Sequence, residues 1–181
     1  MRFVRRRKGL ELRLDSWEAS VLHSLVTELV TLVDAPDRAV GEDPLVAMVG
    51  LAPGAVEPPA DPALGRLLPD AYSGDAGAAA EFRRYTDADL RAGKRAHAET
   101  VLAVLEPATT DGGRLPLTRE DADAWLGALN DLRLVLGTRL DVTEEMPDSP
   151  GDEARDRALH LYAWLGYLQE SLLAVLEPRT A

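Results

Sequence analysis

Apolar residues recur at intervals of three and four along most of this 181-residue chain, a spacing that only helices can bury on one side. Leu22, Leu25, Val26, Leu29 and Val33 make one such stripe. Ala122, Trp125, Leu126, Leu129, Leu132 and Leu136 make a second, and Ala158, Leu161, Leu165, Leu168, Leu172 and Leu176 a third. Each is preceded by residues that satisfy free helix N–H groups. Asp15 and Glu18 fit a capping box, Thr118 and Asp121 open the second run, and Asp152, Glu153 and Asp156 lie where the helix dipole favours acids. Between them, Ala76 to Tyr85 reads as a helix, and Thr86 with Asp89 offers a second cap before a further run through Leu90, His97, Val101, Val104 and Leu105 that stops at Pro107. The exception to the helical period is the start, where Leu10, Leu12 and Leu14 alternate with Glu11 and Arg13 and, with Phe3 and Val4 across a turn at Gly9, predict a hairpin. The expected fold is mainly α: a bundle of about four long helices with a short N-terminal β-hairpin, α+β by strict count.

Residues 1–181 are expected to form a single domain: hairpin 1–14, helix 15–33, a proline-rich connection 34–77 and a helical part 78–177. The connection holds seven prolines, and a loop of that length without local structure would be unusual in a compact domain. Asp61-Pro62 fits a cap followed by a first-turn proline, with a short helix to about Leu68. PLVAMVGL at 44–51 reads equally as a buried strand or a short helix, whereas TTDGGRLP at 109–116 and DVTEEMPDSPG at 141–151 read as a turn and a loop.

Composition narrows the function. With 46% hydrophobic and 28% charged residues the chain is an ordinary globular mixture. It has no cysteine, which removes disulfides, thiolate catalysis and iron–sulfur or Cys-based zinc sites. Its longest promising apolar run, Val21 to Val33, carries His23, Ser24, Thr27, Glu28 and Thr31, and the basic start leads into an alternating segment. A cytoplasmic protein without a membrane segment is expected. The net charge of −11 is uneven: residues 1–13 carry +5, leaving −16 on the rest. Arg5, Arg6, Arg7 and Lys8 are therefore candidate partner-binding residues for an acidic protein surface, although they also suit a solvated turn. Direct DNA contact through them is the less expected reading, because the acidic body repels a phosphate backbone.

No catalytic, cofactor or metal signature accompanies these features. His23, His97 and His160 are far apart, and His97, near an apolar stripe, reads as a core or boundary histidine. Asp87 with Asp89 and Asp121 with Asp123 are two residues apart, so on a helix they diverge. No phosphate-binding glycine loop and no serine elbow occurs, and a non-enzyme is expected. One polar constellation stands out. Arg133 falls inside the apolar face of its helix with Asn130 beside it, and Gln169 falls inside the face of the last helix. A guanidinium pointing inward requires partners, so Asn130, Asp131, Arg133 and Gln169 are the candidate structural or binding cluster. A guanidinium that keeps its head in water is the competing possibility.

The segments AAAEFRRYTDADLRAGKRAHA (78–98), WLGALNDLRLVLGTRLDVTEE (125–145) and YAWLGYLQESLLAVL (162–176), with LPDAY at 68–72, resemble an actinobacterial family of unknown-function domains that includes the actinomycete oxidative stress regulator. The resemblance implies a transcription regulator that contacts a stress sigma factor, with Asn130, Asp131 and Arg133 of the NDLR motif as matching residues. The family's described member senses oxidant through a close cysteine pair, which this chain lacks. The expected function is a regulatory, protein-binding protein that meets a sigma factor or polymerase component without a thiol switch. The alternative is a small-molecule-binding helical domain or an enzyme with an unrecognised site. Leucine-rich helices and Trp17, off the main stripe of its helix, make a homodimer a further expectation.

Overall fold

The computed structural model describes residues 1–7, 9–35, 57–72, 74–143 and 152–177. Lys8, the apolar stretch 44–51 and the pair Glu144 and Glu145 lie outside the described residues. The hairpin forms as β1 (Arg2–Arg6) and β2 (Gly9–Leu14), antiparallel, with Phe3 opposite Leu12 and Arg5 opposite Leu10. Leu10, Leu12 and Leu14 all point into the core, as the alternation requires.

The segment read as a turn at 109–116 is instead partly a strand. After a short helix, α4 (Ala108–Asp111), Gly112 adopts φ +67 and passes so close to the end of β2 that a Cβ there would sit 2.8 Å from the Leu14 carbonyl oxygen and the Asp15 Cα. That turn lays β3 (Gly113–Leu117) beside β2, with Leu117 opposite Leu10 and Leu115 opposite Leu12, completing a sheet of order β1-β2-β3. Pro116 is tolerated because β3 is an edge strand. Glycine and proline signalled a break; the pairing available on β2 decided otherwise.

Helix α1 (Ser16–Val33) starts at the predicted capping box: the Glu18 amide donates to Asp15 Oδ1 at 2.8 Å, and the Asp15 amide donates to Glu18 Oε2 at 2.9 Å. Helix α2 (Pro62–Leu67) is the predicted Asp-capped, proline-initiated turn. The expected break at Thr86 is absent, and α3 is one helix of 30 residues, Ala76–Leu105. Thr86 Oγ1 donates to the Phe82 carbonyl one turn back (3.0 Å), so its hydroxyl is satisfied inside the helix rather than at a new start. Helices α5 (Arg119–Arg139) and α6 (Glu153–Leu176) follow the predicted bounds closely.

Helix α5 is the centre of the packing, in contact with α3, α6 and α2, while α1 lies on α3 and α6 lies on β1. Its Trp125 is fully buried and meets Phe3 of β1 edge-on, with ring centroids 5.7 Å apart. Only the end of α3 enters this core, through Ala98, Val101 and Leu105. Farther up α3, Arg91 closes the C-terminus of α1: its Nη1 donates to the carbonyls of Val33 (2.7 Å) and Ala35 (3.2 Å) while its Nε donates to Asp87 (2.7 Å). Among the described residues no helix is long and apolar enough to cross a membrane.

Candidate functional site

The basic candidates sit around the hairpin turn. Arg5, Arg6 and Arg7 are exposed, and Lys8 lies outside the described residues. Arg6 Nη2 donates to Glu11 Oε1 at 2.6 Å, and Arg13 Nε donates to the same oxygen at 2.6 Å. The Arg6 guanidinium first, then that of Arg13, holds the Glu11 carboxyl down at about 2. Beside this pair lies a groove of about 220 Å³. Its floor is the buried Leu10 and Leu117 with Val175 and Leu176 of α6, and its rim is Arg5, Arg6 and Arg119. Arg119 was not among the sequence candidates. It reaches the hairpin because β3 ends beside it at Leu117, a pairing that the Gly-Gly and proline signals concealed.

The cluster Asn130, Asp131, Arg133 and Gln169 divides into separate environments. Asn130 is exposed and stands apart. Asp131, 3% exposed, faces α3 and accepts from Lys94 Nζ at 2.8 Å. Lys94 could have been suspected: Asp131 follows Ala124 by seven and Ala128 by three, on the face that packs against α3. Arg133 turns the other way and donates from Nη1 to Gln169 Oε1 of α6 at 2.7 Å, the contact expected from the helical wheel. Its guanidinium also lies over the Tyr162 ring, 5.2 Å from the centroid.

Gly137 leaves room for the Tyr162 ring, since a Cβ there would stand 3.3 Å from it, whereas a Cβ on Gly166 would make only ordinary contact with Arg133, 3.6 Å from Cζ and Nε. Arg133 also lines a cleft of about 360 Å³ with Arg66, Gly137, Thr138, Asp141 and Tyr162. At the C-terminal end of α5, Arg139 pairs with Asp61, the cap of α2, at 2.5 Å. Burial pushes the Asp61 carboxyl up, but the Arg139 guanidinium and the amides of Ala63 and Leu64 outweigh it and leave the group below its ordinary value.

The histidines do not converge. His23 Nε2 lies 3.0 Å from Glu106 Oε2, joining α1 to the end of α3. His97 is exposed, contrary to its reading as a core or boundary residue; its ring covers the backbone of α5 at Gly127, where a Cβ would come within 2.3 Å of Nδ1. Three of the four paired acids have structural partners: Asp87 meets Arg91, Asp121 caps α5, and Asp123 meets Arg119. Among the described residues no three His, Asp or Glu side chains are grouped to hold a metal. Trp17 is 69% exposed at the start of α1.

The model of a domain of unknown function, DUF2017, matches residues 1–176. The oxidative stress regulator AosR of Mycobacterium tuberculosis (strain H37Rv) is 34% identical over 195 aligned residues, covering 96% of this chain and 88% of that protein. The AosR of Mycobacterium bovis aligns with the same identity and coverage. The putative oxidative stress regulator AosR of Mycobacterium leprae is 32% identical over 173 residues, covering 88% of this chain and 78% of its own length. No solved structure matches the chain.

Proposed function

The chain belongs to the DUF2017 family, and from that premise we propose that it is a non-enzymatic regulatory protein that works by binding another protein of the transcription machinery, a sigma factor or polymerase component. Kinship with proteins named oxidative stress regulators supports the regulatory half of this reading. The groove beside the hairpin turn carries the other half. An apolar floor under three exposed arginines is complementary to an acidic segment that presents one apolar anchor. A long anionic surface such as duplex DNA would have to approach a body of charge −16, whereas an acidic peptide needs only the +5 end. The absence of cysteine means that this chain's regulation runs without a thiol switch of its own.

Affinity capture from a native lysate, with identification of bound proteins, tests the reading. A sigma factor or polymerase component recovered by the unaltered chain and lost with the double substitution R5E/R119E is the expected result. Both side chains are exposed, so the double variant is expected to keep the fold within about 0.5 kcal/mol. Capture that is insensitive to the reversal would move the interface elsewhere. Recovery of no transcription component would overturn the assignment. Duplex DNA binding that weakens steeply with salt would transfer the role of the arginines to nucleic acid.

A further inference from the structure

We infer that the cleft bounded by α2, α5 and α6 is a binding site for a small ligand bearing an oxyanion, a phosphate or a carboxylate, and that Arg133 and Arg66 supply its positive charge. The inference is independent of the hairpin groove and goes beyond it.

Charge supplies the first reason. Several cations of α3 and α5 face carboxylates: Arg91 meets Asp87, Lys94 meets Asp131, Arg95 meets Asp34, and Arg139 meets Asp61. Arg133, like Arg84 of α3, does not. The hydrogen-bond acceptor of Arg133 is the neutral amide of Gln169, its face rests on the Tyr162 ring, and its Nε is buried without an acceptor. A half-buried guanidinium held only by neutral groups keeps most of its desolvation cost, and an external anion is the group that would offset it. Arg66 of α2 lines the same cleft, so among the described residues two arginines line it against the carboxylate of Asp141.

Geometry supplies the second. The hydrogen bond to Gln169 and the contact with the Tyr162 ring fix the position of the Arg133 head before any ligand arrives, which lowers the ordering cost of binding. The space of about 360 Å³ is the size of a small metabolite rather than a polymer. Thr138 Oγ1 donates to the Leu134 carbonyl at 2.8 Å, which leaves its lone pairs to accept from a ligand hydroxyl.

The test is an NMR titration of the full chain with inorganic phosphate in one arm and succinate in the other, at constant ionic strength. Saturable shifts at the Gly137, Thr138 and Gly166 amides are expected in at least one arm, and the arm that saturates identifies the anionic group. Arg66→Gln, at an exposed position, and Arg133→Lys, which keeps the charge but loses the planar fork, are each expected to weaken binding at least tenfold. Three results would overturn the inference: no saturable shift in either arm, shifts confined to the hairpin arginines in both arms, or saturable shifts at the cleft that neither substitution weakens. Because Arg66 lies remote from the hairpin in sequence and on another element, loss of anion binding in Arg66→Gln with partner capture intact separates failure of one reading from failure of the other.

Discussion

The chain carries its arginines in two contrasting settings. At the hairpin turn, Arg5, Arg6 and Arg7 are consecutive, exposed and gathered by nothing more than their order along the chain. On α5, Asp131 and Arg133 are two residues apart yet belong to different interfaces, one facing Lys94 of α3 and the other Gln169 of α6. The exposed end of a hairpin keeps consecutive residues at one place on the surface, whereas a helix advances about 100° per residue and sends positions i and i+2 to opposite partners. Local charge density is therefore a surface property readable from the chain, while the environment of a helical polar residue is a property of whatever packs beside it.

The largest expected effect breaks the point where the two settings share a core. Trp125 of α5 touches Phe3 of the hairpin, and Trp125→Ala removes the largest fully buried side chain. A loss of about 3–5 kcal/mol in chemical denaturation is expected, with the hairpin and the helices unfolding in one transition. Two separate transitions would show that the regions are energetically distinct.

Next comes Asp131→Ala, which leaves Lys94 without its carboxylate beneath the α3–α5 contact. A loss of about 2 kcal/mol is expected, less than for a wholly buried pair because the Lys94 side chain keeps 19% of its exposure and can recover water. Equilibrium denaturation of this variant beside Asn130→Ala checks the division of the cluster, since the exposed Asn130 is expected to shift stability by no more than about 0.5 kcal/mol.

The smallest effect belongs to the hairpin and depends on pH. Arg6 and Arg13 hold the Glu11 carboxyl at about 2 in the folded chain, below its unfolded value. The native state therefore binds the proton less readily than the unfolded state. The stabilisation is complete above the unfolded pKa of about 4.3 and is lost as pH falls through about 2. Glu11→Gln is expected to remove that part of the acid dependence while changing stability little at neutral pH, because the pair is solvent-screened. Thermal melts of both proteins from neutral pH to pH 2 measure it; parallel curves would mean that the two arginines do not hold Glu11 in solution.

Much of the fold was legible in the chain because its signals are local. The capping pairs Asp15–Glu18 and Thr118–Asp121 mark helix starts with hydrogen bonds that close within three residues, and both are present. The misreadings involve signals with two uses. Thr86 and Asp89 resemble a cap but occupy the surface of an uninterrupted helix, and Gly112-Gly113 with Pro116 resemble a turn but lead into an edge strand. At the candidate site, the Arg133–Gln169 contact was visible because both residues break an apolar face, and Asp131 pointed to a partner on α3 by its spacing, while Arg119 was hidden because the β2–β3 pairing that brings it to the groove joins segments remote in sequence.

What the sequence determined by itself is therefore the helices α1, α2, α5 and α6, the basic end on an acidic body, and the impossibility of thiol chemistry within this chain. These follow from periodicity, charge and composition, which need no knowledge of neighbours. Tertiary structure alone decided that β3 joins the hairpin, that Arg119 completes the basic groove, and that Arg133 shares a cleft with Arg66. Each of these requires two segments distant in sequence to pack against one another, and only the burial of the shared apolar core brings them together.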